Sequence, residues 1–195
     1  MLTLICPVFN EEKYIFNILS FFLESEPDEK EIYFIDGGSI DSTIQIIKNA
    51  AAQNPRIKLL LNPNKYVPFA LNLGIQNSKG DPIIRLDAHT LYSKDYCIRI
   101  LEVFKETNAD IVGGPMIKKG VTLFQKAVAY CTSTSLGIGN SKIHQSNYCG
   151  ISDHVYLGAW RRELFSEIGY FDVRLIRNQD DEFHYRAKSR GKKIF

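Results

Sequence analysis

Ile83-Ile84-Arg85-Leu86-Asp87-Ala88-His89 is the stretch from which the rest of the chain can be read. Its apolar run rises out of a turn at Gly80-Asp81-Pro82 and stops on two potential metal ligands one residue apart. Period-two alternation would put Asp87 and His89 on the same side of an extended backbone, where both could grip one cation. The residues before them read as a buried strand, so the pair falls at a strand's carboxyl end, where open α/β sheets bind ligands. One carboxylate and one imidazole suit Mn²⁺ or Mg²⁺ carrying phosphate oxygens better than a structural zinc, which needs four ligands. The competing reading is an Asp capping a strand-end turn beside an incidental His, and the pair alone does not separate the two.

Upstream, strands and helices alternate. Leu2 to Cys6 is a continuous apolar strand, cut by Pro7 and followed by Val8-Phe9-Asn10-Glu11-Glu12. Ile15, Ile18, Leu19, Phe22 and Leu23 recur at helical spacing up to about Glu24. Glu31 to Ile35 predicts a second strand, ending on the polar turn Asp36-Gly37-Gly38-Ser39-Ile40-Asp41-Ser42-Thr43, whose Ser and Asp suit the start of a helix through Ile44, Ile47 and Ala51. Ile57 to Leu61 is a third strand, and Pro68 opens a helix that stops at Gly80. After the Asp87 strand, Cys97, Ile100, Leu101 and Phe104 repeat as one helical face. This β-α-β-α alternation predicts a mainly parallel sheet with right-handed crossovers.

Downstream the pattern loosens. Ile111 to Met116 reads as a strand whose Gly113 and Gly114 permit close backbone approach. Leu123, Ala127, Tyr130 and Cys131 predict a helix running into Gly137-Ile138-Gly139-Asn140, and Ser141 to Gly150 shows no periodicity. Val155 to Trp160 leads into a short helix with Leu164, Phe165 and Ile168. Arg177-Asn178-Gln179-Asp180-Asp181-Glu182-Phe183 is a loop entering a helix, where three acidic residues also suit the helix dipole. Gly191-Lys192-Lys193-Ile194-Phe195 reads as a helix stop and the opening of another strand, so the chain is expected to be a fragment.

At 195 residues and 45% hydrophobic, the chain is one globular domain with a real core. A net charge of +2 argues for neither nucleic acid nor an acidic partner. Cys6, Cys97, Cys131 and Cys149 are widely spaced and fit unpaired core thiols in a reducing cytosol. Met1 to Ile5 is too short for a signal peptide, and no run approaches 18 apolar residues.

Four motifs occur in one order: Pro7-Val8-Phe9-Asn10-Glu11; Asp36-Gly37-Gly38-Ser39 with Asp41 and Thr43; Asp87-Ala88-His89; and Asn178-Gln179-Asp180-Asp181-Glu182. Together they resemble the family 2 glycosyltransferases of the GT-A fold, and within them the ExoA-like succinoglycan/exopolysaccharide glucosyltransferases. Three stretches carry the closer likeness: Arg85 to His89, Gly113-Gly114-Pro115-Met116, and Arg177 to Phe183. The resemblance implies an α/β, Rossmann-like, mainly parallel sheet flanked by helices and truncated at its C-terminus. It also implies a nucleotide-sugar-binding half over 1–90 and an incomplete acceptor and catalytic half over 91–195.

The implied activity is inverting, metal-dependent sugar transfer from a nucleotide-sugar, of UDP-hexose type, to a glycan or lipid-linked oligosaccharide in polysaccharide biosynthesis. Two like charges about 4 Å apart repel by roughly 4 kcal/mol at an effective dielectric near 20, so a divalent cation between Asp87 and the diphosphate would turn repulsion into attraction. His89 stands where relatives carry a second carboxylate. By the same resemblance Pro7, Phe9, Asn10, Glu11, Asp36 and Gly38 would wall the base and ribose, with Lys65 and Arg85 offering charge to phosphates. Asp180 would be the general base, with Asp181 and Glu182 orienting it or binding acceptor. Tyr130, Tyr148, Tyr156 and Trp160 could stack on sugar rings or sit in the core, and His154 and His184 read as structural. The resemblance further implies a cytoplasmic location, with the parent protein at the inner membrane face. A sugar nucleotidyltransferase would want a Gly-rich, Arg-bearing signature after the first strand, a glycosidase two carboxylates flanking the bond; a non-catalytic nucleotide-binding fragment remains the third reading.

Overall fold

A computed structural model describes residues 1–118, 120, 122–131 and 148–195. The elements run β1 (Leu2–Val8), α1 (Ile15–Glu24), β2 (Lys30–Asp36), α2 (Thr43–Gln53), β3 (Ile57–Leu61), α3 (Val67–Asn77), β4 (Ile83–Arg85), α4 (Tyr96–Thr107), β5 (Ile111–Gly114), α5 (Leu123–Cys131), β6 (Tyr156–Trp160), α6 (Glu163–Ile168) and α7 (Gln179–Ser189). The expected continuation of the α5 helix to Asn140 and most of the aperiodic stretch from Ser141 lie outside the described residues.

Six strands form one sheet in the order β3-β2-β1-β4-β6-β5. The first four are parallel, as the alternation predicts, but β6 runs antiparallel to both β4 and β5. Hydrophobic pattern carries no strand direction, so the sequence could not show this reversal. The chain ends beside β5, where Ile194 pairs parallel with Ile111 and Phe195 exchanges backbone bonds with Ile111 and Gly113. That extended pairing agrees with the strand opening expected at Ile194-Phe195.

The sheet is buried on both faces. On one side Ile18, Phe22, Ile47, Cys97 and Phe104 from α1, α2 and α4 pack on Leu4, Cys6, Phe34 and Ile84. On the other, Leu71, Ile75, Phe165, Phe183 and Ala187 from α3, α6 and α7 pack on Ile5, Ile35, Ile83 and Trp160. Period two explains the split: neighbours such as Ile83 and Ile84 point to opposite faces. In α1 the buried stripe includes Phe21 while Leu23 is exposed, which shifts the apolar face from the one expected. Trp160 makes ring contacts with Phe165, Phe171 and Phe183 at 5.3–6.3 Å, each such pair contributing about 0.5–1.5 kcal/mol beyond its buried area.

Two strand boundaries differ from expectation for one reason. β1 continues through Pro7 to Val8, because Pro7 pairs in register with Ile35 and its nitrogen faces away from β2. On the other side Thr3 N donates to Pro82 O and Leu86 N to Ile5 O, so the next donor toward β4 would be the missing N–H of Pro7. β4 therefore stops pairing after Leu86. Asp87 to His89 is a turn rather than a strand, closed by Thr90 N to Asp87 O at 3.2 Å.

Between β5 and β6 the register slips: Val112 pairs with Ala159 and Gly114 with Tyr156, so Leu157 and Gly158 together oppose Gly113. This bulge leaves Leu157 at φ 45°, a conformation β-sheets rarely hold and one that re-aims the side chain before it. A Cβ on Gly113 would lie 2.3 Å from the Cβ of Val155, so only glycine fits there.

Candidate active site

The carboxyl ends of β1, β2 and β4 carry three turns that hold each other. In the first, Asn10 takes φ 55°, its N–H donates to Ser39 Oγ at 2.8 Å, and its Oδ1 accepts from Ile40 N at 2.9 Å. Glu11 N donates to Thr43 Oγ1 at 2.8 Å, and Glu12 bonds both Asp41 and the Ser42 amide. The first two motifs are thus one zipped structure, although about thirty residues separate them.

Asp36 is 1% exposed at the end of β2. Its Oδ2 accepts from Gly38 N at 2.8 Å and Ser39 N at 3.0 Å, which shapes the turn, while Oδ1 is buried with no partner. A buried carboxylate oxygen with an open lone pair is an acceptor waiting for a donor. Gly38 sits at φ 92°, which favours glycine, and Lys65 lies over this turn with its Cε 4.0 Å from where a Gly38 Cβ would stand. Phe9 is 56% exposed beside the same turns, so its ring face is open to a ligand.

Asp87 stands two residues past the end of β4. Its amide donates to Tyr92 Oη at 2.8 Å, and burial together with the Asp87 charge raises the Tyr156 hydroxyl pKa. Tyr156 is the residue that the β6 bulge re-aims, and its neighbours in the site are Asp87 and Thr90. Burial, reinforced by Asp87 and Glu11, also pushes the Cys6 thiol well up, so it stays protonated and inert.

Arg85 links two distant motifs. Its side chain is 10% exposed; Nη1 donates to Asp180 Oδ2 at 2.6 Å and Nη2 contacts Asp87 Oδ1 at 3.4 Å. Asp180 also accepts from Gln179 Nε2 at 3.3 Å, while its Oδ1 is buried without a partner. Asp87 and Asp180, one from each acidic motif, thus meet on one arginine. Arg85 itself is turned onto carboxylates, not held open for a phosphate as the resemblance implied.

Other expected members of the site stand elsewhere. His89 is more than half exposed and its Nδ1 lies 3.2 Å from Glu11 Oε1, so its ring turns to the first motif and not alongside Asp87. Glu182 is engaged by Arg186 at 2.7 and 2.8 Å, and Arg186 also donates to Tyr170 O and Ile168 O; this carboxylate anchors α7 and does not orient Asp180. Asp181 is exposed. Trp160 is fully buried and cannot stack on a sugar, whereas Tyr130 is exposed. His184 is buried with both ring nitrogens unpartnered, and burial with His154 nearby pulls its pKa to about 4, so it is a neutral core residue. Cys131 and Cys149 are exposed, unlike the expected core thiols, while Cys6 and Cys97 are buried.

Among the described residues, no group of three or more His, Cys, Asp or Glu side chains is arranged to hold a metal ion. Asp87 offers one carboxylate, and His89 with Glu11 a separate pair, so the donor set is at most partial. That fits a hard cation which takes most of its ligands from substrate phosphates and water, and does not fit a closed protein cage. Among the same residues no helix is long and apolar enough to cross a membrane.

Comparison with known proteins follows this geometry. The profile of Glycosyl transferase family 2 matches residues 3–169. The succinoglycan biosynthesis protein ExoA of Rhizobium meliloti (strain 1021) is 33% identical over 196 residues, covering 98% of this chain and 59% of ExoA. A structure of S. aureus TarS 1–349 in complex with UDP superposes with a TM-score of 0.73 at 18% identity, over 100% of this chain and 57% of that one. The mannosyltransferase PcManGT from Pyrobaculum calidifontis, in complex with GDP-Man and Mn²⁺, gives 0.71 at 19% identity, over 100% and 53%. The chain therefore shares the GT-A-like sheet and spans little more than half the length of these relatives.

Proposed function

The chain belongs to glycosyl transferase family 2, and from that premise we propose that it carries the catalytic centre of an inverting, metal-dependent hexosyltransferase. Its donor is a nucleoside diphosphate hexose, of UDP type, and its acceptor a glycan or lipid-linked oligosaccharide in polysaccharide biosynthesis. One observation carries the reading: Asp87 at the end of β4 and Asp180 at the start of α7, 93 residues apart, meet on one buried arginine.

In this reading residues 1–90 bind the donor. Asp36 Oδ1 accepts an N–H from the base edge, Phe9 covers the base, and Lys65 reaches over the Gly37-Gly38 turn toward phosphate. Asp87 is where Mn²⁺ or Mg²⁺ would be held with the diphosphate, with the His89–Glu11 pair on the first motif's side; when bound, the cation stabilises the charge that gathers on the leaving group. Residues 91–195 bring the base and the acceptor. Asp180 takes the proton from the acceptor hydroxyl while the hydroxyl oxygen bonds to the anomeric carbon. The bond to the diphosphate breaks with its electron pair staying on the diphosphate, and the anomeric centre inverts. Asp181, exposed on the first turn of α7, stands where an acceptor hydroxyl can hydrogen-bond to it.

Calorimetry with UDP and Mn²⁺, run beside GDP and Mn²⁺, tests donor binding, and radiolabelled UDP-glucose tests turnover. Asp87→Ala is expected to abolish the Mn²⁺-dependent part of UDP binding. Asp180→Asn is expected to keep UDP affinity and lose at least about 100-fold in turnover. Metal-dependent affinity that survives in the Asp87 variant would refute the site.

A further inference from the structure

We propose that Arg85 is a positioning residue for the general base: its buried guanidinium fixes Asp180 by one carboxylate oxygen and so sets the orientation in which the carboxylate meets the acceptor hydroxyl. The inference rests on Asp180 being that base, and it assigns Arg85 a role other than the phosphate ligand suggested by the family resemblance.

The geometry is specific on three counts. First, the two bonds are unequal. Arg85 Nη1 reaches Asp180 Oδ2 at 2.6 Å, a short charge-assisted bond, whereas Nη2 stands 3.4 Å from Asp87 Oδ1, beyond good hydrogen-bond length. The arginine therefore holds Asp180 first and Asp87 second. Second, Oδ2 is doubly used, by Arg85 and by Gln179 Nε2, while Oδ1 has no partner. A carboxylate held by two donors on one oxygen no longer rotates freely between equivalent orientations, which is what pre-organised proton transfer requires. Third, the Arg85 side chain is 10% exposed at the end of β4, so it is held against the two carboxylates and is not free in solvent. The planar guanidinium holds its fork by geometry, which a lysine ammonium on a flexible stem cannot copy.

The test uses the chain as described, with Arg85→Met and Arg85→Lys. Asp87 and Asp180 keep partial solvent access, at 19% and 31% of their side chains, so they can rehydrate when the guanidinium is removed, and methionine refills the apolar stem. The first readout needs no turnover: carbodiimide labelling of carboxylates, read by mass spectrometry. Asp180 is expected to label at least fivefold less than the neighbouring Asp181 in the parent protein, and the two are expected to converge in Arg85→Met. The second is the split between binding and rate. A positioning role leaves UDP·Mn²⁺ affinity within about threefold and lowers UDP-glucose turnover at least 30-fold, with Arg85→Lys recovering only part.

A fall of tenfold or more in UDP·Mn²⁺ affinity in both variants would make Arg85 a phosphate ligand and overturn the proposal. Equal labelling of Asp180 in parent and Arg85→Met would overturn it whether or not UDP-glucose is turned over. If Asp180→Asn keeps its rate, the base assignment fails. If that variant loses its rate while Arg85→Met keeps it, only the role of Arg85 fails.

Discussion

Glu31 offers a perturbation whose size can be worked out from its surroundings. It lies in β2 with its side chain 5% exposed, accepting from Thr3 Oγ1 at 2.9 Å, Lys58 Nζ at 2.9 Å and the Lys79 amide at 3.0 Å. These bonds tie β1, β2 and β3 to the turn that launches β4, and so help set where Arg85 and Asp87 arrive. Burial alone would raise its pKa; the bonds from Lys79, Lys58 and Thr3 outweigh it and bring the group from 4.5 to about 2. At 1.36 kcal/mol per unit this corresponds to roughly 3 kcal/mol of pH-linked stability. Lys58 is 42% exposed, so solvent screening trims the net effect to about 2 kcal/mol.

The sign follows from a depressed carboxylate pKa. The contribution is fully present above about pH 4.5 and drains away as pH falls toward 2. Glu31→Gln should therefore lower stability by about 2 kcal/mol at pH 7, or roughly 4–8 °C in Tm for a chain of this size. The gap to the parent should narrow between pH 4.5 and pH 3. Urea melts at a series of pH values measure it directly. A gap that stays constant from pH 7 to pH 3 would mean the charge of Glu31 is not what stabilises the turn, and the linkage argument would be wrong.

Two further outcomes are expected. Gly113→Ala forces a Cβ to within 2.3 Å of Val155 and should cost about 1–3 kcal/mol, seen as a lower urea midpoint; an unchanged midpoint would show that the bulge relaxes freely. Asp36→Asn keeps an oxygen for the Gly38 and Ser39 amides but replaces the second acceptor by a donor, so UDP affinity should fall about tenfold in calorimetry with little change in melting. Undiminished affinity would remove Asp36 from the base site.

The parts legible in the sequence were those with a local cause. Ile57 to Leu61 and the span of α1 follow from the spacing of their apolar residues, and both agree with the structure. Asp87 and Asp180 could be named because each lies in a short motif. What lies between them could not be read, since the partner of Arg85 is 95 residues away and a bond at that distance leaves no trace in spacing. The same holds for the reversal of β6 and for Leu157, whose left-handed backbone no leucine advertises. The extended backbone expected through His89 is a turn for a different reason: Pro7, on another strand, withholds the N–H that would carry the pairing past Leu86.

The junction between β4 and β6 has a practical consequence for anyone recombining this domain with a relative. Only Ile83 with Trp160 and Ile84 with Ala159 pair there, against seven pairs between β1 and β2. A chimaera spliced after α4 thus severs little backbone pairing, yet the contacts it must inherit include those of two arginines that reach across the cut in opposite directions. Arg85 goes forward to Asp180, and Arg162 goes back to Ser78 and to the carbonyls of Ile75 and Gly80. A graft that keeps both couples has matching halves; one that breaks either strands a guanidinium in the seam.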